Sequence, residues 1–157
     1  MKPNHIRQTE PQTSLTSGET TMKRILVVDD DPLIRGAICI WLEQGGFGVV
    51  VADGGNAGLS ALECSAFDLM IVDIFMPHMR GFESVRVFHQ RAPTLPLIAI
   101  SGYVFAERRT PAPDFLNMAL SLGATRCLRK PFTPSTLLSV IDACLLESKA
   151  KVIRATV

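Results

Sequence analysis

The sequence predicts an α/β fold, a doubly wound five-stranded parallel sheet with helices on both faces, and three observations lead there. Five short apolar runs recur along the 157 residues without internal alternation, as strands buried on both faces do. Between them lie stretches with apolar residues at three- and four-residue spacing, the mark of amphipathic helices. Four of the five runs also lead into a side chain capable of chemistry, and open α/β sheets gather their ligand sites at the carboxyl ends of the strands. Strict alternation of strand and helix implies right-handed crossovers, hence parallel strands.

Residues 1–21, rich in Thr, Ser, Gln, Glu and Pro, have no periodic apolar face and read as a flexible extension. Ile25 to Val28 form the first strand, which ends in Asp29, Asp30 and Asp31. Pro32 suits the first turn of a helix, and an acid before it can cap the exposed amides, which leaves the other acids needing a different purpose. That helix, to about Gln44, carries Ile34, Ala37, Ile38, Trp41 and Leu42 on one stripe and stops at Gly45-Gly46. Val49 to Ala52 make a second strand, and a short helix from Asn56 to about Cys64 turns Leu59 and Leu62 inward.

Leu69 to Val72 then run straight into Asp73, and Met76-Pro77 forces the chain out of the sheet. Gly81 permits a tight turn into a helix from Phe82 to Gln90 that presents Phe82, Val85 and Phe88 or His89 to the core. Leu97 to Ile100 form a fourth strand ending at Ser101-Gly102. A long connection from Tyr103 follows, and Asp114 is a candidate cap for a helix that Gly123 stops. Thr125 to Arg129 form a fifth strand leading to Lys130-Pro131-Phe132, and Thr133 opens a last helix with Leu137, Leu138, Ile141, Cys144 and Leu145 in phase. The expected division is a folded domain over residues 22–147 and a short C-terminal tail over 148–157.

Composition narrows the function classes. With 47% hydrophobic residues, 20% charged residues and a net charge of +1, the chain is globular and shows no basic excess that argues for nucleic acid or an anionic membrane. No apolar run approaches the roughly 20 residues that span a bilayer, and no signal-peptide core opens the chain. Cys39, Cys64, Cys127 and Cys144 make no metal-binding spacing and read as reduced thiols, which places the protein in the cytoplasm.

The carboxyl edge thus gathers Asp29, Asp30, Asp31, Asp73, Ser101 and Lys130. Converging carboxylates suit a hard divalent cation, Mg²⁺ first, whose charge lets the acids coexist. Such a cation also shields Asp73 from the charge of an incoming phosphoryl group, whose transfer needs positioning and neutralisation above all. Lys130 supplies an opposing positive charge, Ser101 a hydroxyl donor, and Asp73 the nucleophile. Taken singly, Lys130 also fits a structural ion pair and Ser101 a helix cap.

The segments Val-Val-Asp-Asp-Asp-Pro, Ile-Val-Asp-Ile-Phe-Met-Pro, Ile-Ser-Gly and Arg-Lys-Pro-Phe resemble the motifs of receiver domains of two-component response regulators, over about Lys23 to Leu146. The resemblance implies the flavodoxin-like strand order 2-1-3-4-5. It further implies that Asp73 is the phosphoacceptor, that Asp29, Asp30, Asp73 and the Phe75 backbone carbonyl hold Mg²⁺, and that Ser101 and Lys130 bind the phosphoryl group. The implied donor is a sensor histidine kinase or a histidine phosphotransfer protein, docking at Ile34, Ala37, Pro131 and Phe132. The expected output is contact with a downstream protein, or phosphorelay, from a stand-alone domain that catalyses no reaction but its own phosphorylation and dephosphorylation.

Two departures from the family pattern matter. The aromatic residue usual three positions before the lysine is Cys127, so Tyr103 or Phe105 is the expected reporter of phosphorylation instead. Phe75 and Tyr103, both large, stand where the family admits water to the acyl phosphate, which predicts slow self-dephosphorylation. The alternative reading is a phosphorylation-independent adaptor on the same fold. A haloacid-dehalogenase-type phosphatase would need Thr or Val where Leu33 stands, and three acids would repel a flavodoxin's flavin phosphate.

Overall fold

The computed structural model describes residues 21–79, 82–102 and 115–156. Gly81, Tyr103, Phe105 and Asp114 lie outside these residues. Five parallel strands, β1 (Arg24–Val28), β2 (Gly48–Ala52), β3 (Leu69–Asp73), β4 (Leu97–Ser101) and β5 (Arg126–Arg129), form one sheet in the order β2-β1-β3-β4-β5. The helices are α1 (Pro32–Gln44), α2 (Gly55–Cys64), α3 (Glu83–Arg91), α4 (Phe115–Ser121) and α5 (Pro134–Thr156). None of the described helices is long and apolar enough to cross a membrane.

The uninterrupted apolar runs have a simple cause, because each strand feeds two cores. Leu26, Val28, Met70 and Val72 face one side with Val85 and Phe88 of α3, while Ile25, Val27, Leu69 and Ile71 face the other with Ile38 and Leu42 of α1 and Leu137 and Ile141 of α5. Alternate residues along one strand thus serve opposite layers. Phe88 is fully buried, and its removal would cost about 3–5 kcal/mol.

In α2 it is Gly55 and Gly58 that are buried, with Leu59 and Leu62 only half-buried. A Cβ on Gly58 would lie 2.7 Å from Phe88 Cζ and 2.8 Å from Val28 Cγ2, so the glycine lets the helix settle directly on the sheet. Gly123, at φ +111°, makes the turn between α4 and β5.

The structure differs from the sequence reading in α3 and in α5. In α3 the fully buried side chains are Ser84, Val85 and Phe88, while Phe82 and His89 are half-buried. The short tail expected over 148–157 is instead a continuation of α5, which runs on to Thr156. Ser148 to Thr156 contain neither Gly nor Pro, and Lys149, Ala150, Lys151, Arg154 and Ala155 all favour helix, so nothing stops it once Cys144 has left the core.

Candidate phosphoacceptor site

The site is built where β1, β3, β4 and β5 end. Asp29 is the first residue past β1 and is fully buried. Its Oδ1 accepts the Asp31 amide at 2.9 Å, and its carbonyl oxygen accepts Arg35 Nη1 at 2.7 Å. Asp31 is the acid that caps α1, its Oδ1 accepting from the amides of Leu33 at 2.9 Å and Ile34 at 3.5 Å. Asp30, between them, is exposed. The three adjacent acids thus divide into a lysine partner, a solvent-exposed carboxylate and a helix cap.

Asp73 closes β3 and is buried. Its Oδ1 accepts the Phe75 amide at 3.1 Å. Behind it, the buried hydroxyl of Ser84 lies 3.2 Å from the Asp73 carbonyl oxygen and 3.3 Å from that of Ile74. Lys130 follows β5 and reaches back, its Nζ donating to Asp29 Oδ2 at 2.8 Å and Asp73 Oδ2 at 3.3 Å. The Lys130 amide donates to the Ser101 carbonyl at 2.8 Å, so the lysine is anchored to the strand that carries the buried serine.

Burial is the main force on Asp73, pushing its pKa up to about 6. Lys130 and the Phe75 amide pull it down, and the Asp29 charge adds to the rise. For Lys130, burial favours the neutral amine, but the hydrogen bond to Asp29 and the charges of both acids outweigh it and hold the ammonium above its usual range. An acid poised near neutrality beside a firmly charged lysine has the charge arrangement that a nucleophile needs.

One carboxylate oxygen each from Asp29, Asp30 and Asp73 lies within 4.8 Å of the others, a donor set of hard oxygens that fits a divalent cation. All three acids expected as ligands are therefore together. Phe75, whose backbone carbonyl was the expected fourth ligand, is held next to them by the hydrogen bond that its amide donates to Asp73 Oδ1.

Beside Lys130 opens an apolar groove of about 300 Å³, lined by Ile34, Ala37, Ile38, Trp41, Gly102, Lys130, Pro131 and Phe132. The four residues expected to dock a donor all line it. Trp41 and Phe132 meet edge to face with ring centroids 6.3 Å apart, joining α1 to the loop before α5. A wider cleft of about 540 Å³ lies at the opposite end of the sheet, where its charges are half-exposed ion pairs, Arg91 with Glu63 and Lys23 with Asp68.

Sequence reasoning missed Arg35 and Ser84. Arg35 stands in the first turn after the Asp31 cap, a position from which a long side chain can fold back over the strand end. A buried serine inside an amphipathic helix leaves no such signal.

The family model of the response regulator receiver domain matches residues 25–142. The chain belongs to this family. A receiver domain protein from Methanospirillum hungatei shares the fold at a TM-score of 0.73 and 31% identity, over 83% of this chain and 99% of that one. A probable transcriptional regulatory protein of Picosynechococcus is 32% identical over 133 residues, 80% of this chain and 50% of its own length. The CAI-1 autoinducer sensor kinase/phosphatase CqsS of Vibrio cholerae is 34% identical over 121 residues, 77% of this chain and 17% of its own. This receiver chain thus spans half or less of these two curated relatives, and what those larger proteins do belongs to them.

Cys127, at the position of the usual aromatic residue, is half-buried against the core of the α3 face. Burial pushes its thiol pKa up, with Arg129 partly opposing, so it packs as a neutral side chain.

Proposed function

We propose that this receiver accepts a phosphoryl group on Asp73 from a phosphohistidine of a sensor kinase or histidine phosphotransfer protein, with Mg²⁺ at Asp29, Asp30, Asp73 and the Phe75 carbonyl. The observation that carries the reading is the single ammonium of Lys130 spanning Asp29 and Asp73 inside the sheet edge.

An Asp73 oxygen attacks phosphorus, the P–O bond of the acyl phosphate forms as the P–N bond breaks, and the imidazole leaves with the bonding pair and takes a proton. Lys130 keeps Asp29 and turns its second contact from Asp73 Oδ2 to a phosphoryl oxygen. Ser101 offers its hydroxyl to another. The cation, when bound, neutralises charge on the acids and on the transferring oxygens. Ile34, Ala37, Pro131 and Phe132 seat the donor's apolar helix surface beside Lys130. The modified protein then signals by protein contact, or passes the group on, through the face of α4, β5 and α5.

Intact mass after incubation with Mg²⁺ and acetyl phosphate tests this. One phosphoryl group is expected, absent in Asp73→Asn. Failure with acetyl phosphate and with a panel of phosphorylated histidine proteins would leave the phosphorylation-independent adaptor as the better reading.

A further inference from the structure

Helix α5 has 23 residues, about 34 Å at 1.5 Å per residue, yet its last buried side chain is Cys144. Every residue from Lys149 to Thr156 is exposed. The projecting half carries Leu146, Val152 and Ile153 at 66%, 64% and 66% exposure, an apolar display that costs free energy unless something covers it. At 100° per residue Asp142, Leu146, Lys149 and Ile153 share one stripe, which Ser139 continues towards the N-terminus. Asp142 and Lys149 are both exposed, and neither has an ion-pair partner among the described residues.

This stripe complements itself only when reversed. A two-fold axis between Leu145 and Leu146, at the middle of the helix, sets Asp142 of one copy against Lys149 of the other, twice. It also sets the two exposed Leu146 side chains beside the axis and lays each exposed Ile153 along the domain-bound half of the partner. Parallel pairing instead sets Asp142 against Asp142 and Lys149 against Lys149, a repulsive arrangement. Lys149, Lys151 and Arg154 also give the projecting half a positive charge, and Asp142 of the other copy meets it.

We propose that α5 pairs antiparallel with α5 of a second copy of this chain, each projecting half lying along the domain-bound half of the other. The interface is isologous, as a closed dimer requires. It stands on α5 alone and does not depend on phosphoryl transfer.

Sedimentation of the full chain across the micromolar range is the test, with vesicles of phosphatidylserine and phosphatidylcholine in a parallel series. A concentration-dependent dimer is expected. Asp142→Lys and Lys149→Asp should each weaken it about tenfold or more, since each turns two attractions into two repulsions, and the double variant should restore it. Circular dichroism of the variants, unchanged for two exposed positions, separates this from unfolding. A chain that stays monomeric, with or without affinity for the vesicles, overturns the proposal. So does a dimer indifferent to the single exchanges, or one that the double exchange fails to restore.

Discussion

The two ends of the sheet carry ion pairs of nearly equal length and opposite consequence. At the carboxyl end, Lys130 meets Asp29 at 2.8 Å with side-chain exposures of 17% and 0%. At the amino end, Lys23 meets Asp68 at 2.9 Å with exposures of 42% and 32%. Distance alone does not distinguish them; water does. The exposed pair keeps its hydration whether or not the contact forms, whereas the buried cluster has exchanged water for one another's charge. One end of the sheet can therefore be discharged with little effect, whereas at the other a change of a single charge alters the balance of the whole cluster.

The sharpest way to break this contrast is Asp73→Asn, which should abolish phosphoryl uptake altogether, as read by intact mass. The same variant should raise thermal stability. The fold raises the Asp73 pKa from 3.8 to about 6, so the native state binds that proton more readily than the unfolded chain. Its stabilising contribution is complete below the unfolded value and is lost as pH rises through about 6. The variant escapes that loss, gaining about 3 kcal/mol near neutrality and progressively less towards acid, as calorimetry at several pH values would show.

Next in size, Lys130→Ala leaves two buried acids uncompensated and should cost about 3 kcal/mol, measured by urea unfolding without divalent cation. Added Mg²⁺ should recover part of it. Phe75→Asn should shorten the acyl phosphate lifetime about tenfold by admitting water, an effect of about 1.4 kcal/mol on the barrier. An unchanged lifetime would remove Phe75 as the shield. The smallest effect belongs to the amino end, where Arg91→Ala should change stability by at most about 0.5 kcal/mol and by nothing measurable in high salt.

The sheet was legible in the sequence because strands buried on both faces cannot hide their continuous apolar runs, and Asp29, Asp73, Ser101 and Lys130 were legible because they stand where those runs end. The division of labour among Asp29, Asp30 and Asp31 was less so, since it depends on which carboxylate the α1 amides capture. The buried role of Gly55 and Gly58 was invisible for another reason: an apolar stripe announces large side chains, and close approach is made by the lack of one. The length of α5 was misjudged because the inward periodicity ends with the core at Cys144, while the helix continues on intrinsic propensity alone.

Ser84 gives the molecule a mechanical property. Its hydroxyl, buried in the first turn of α3, clamps the carbonyls of Asp73 and Ile74, so the end of β3 and the start of α3 form one stiff body. On the other flank Lys130 holds the site, by its backbone amide to the Ser101 carbonyl and by its long side chain to Asp29 and Asp73. Asp73 is thus tied to α3 through its own backbone carbonyl and to β5 through its carboxylate, so the two flanks of the site grip different parts of one residue.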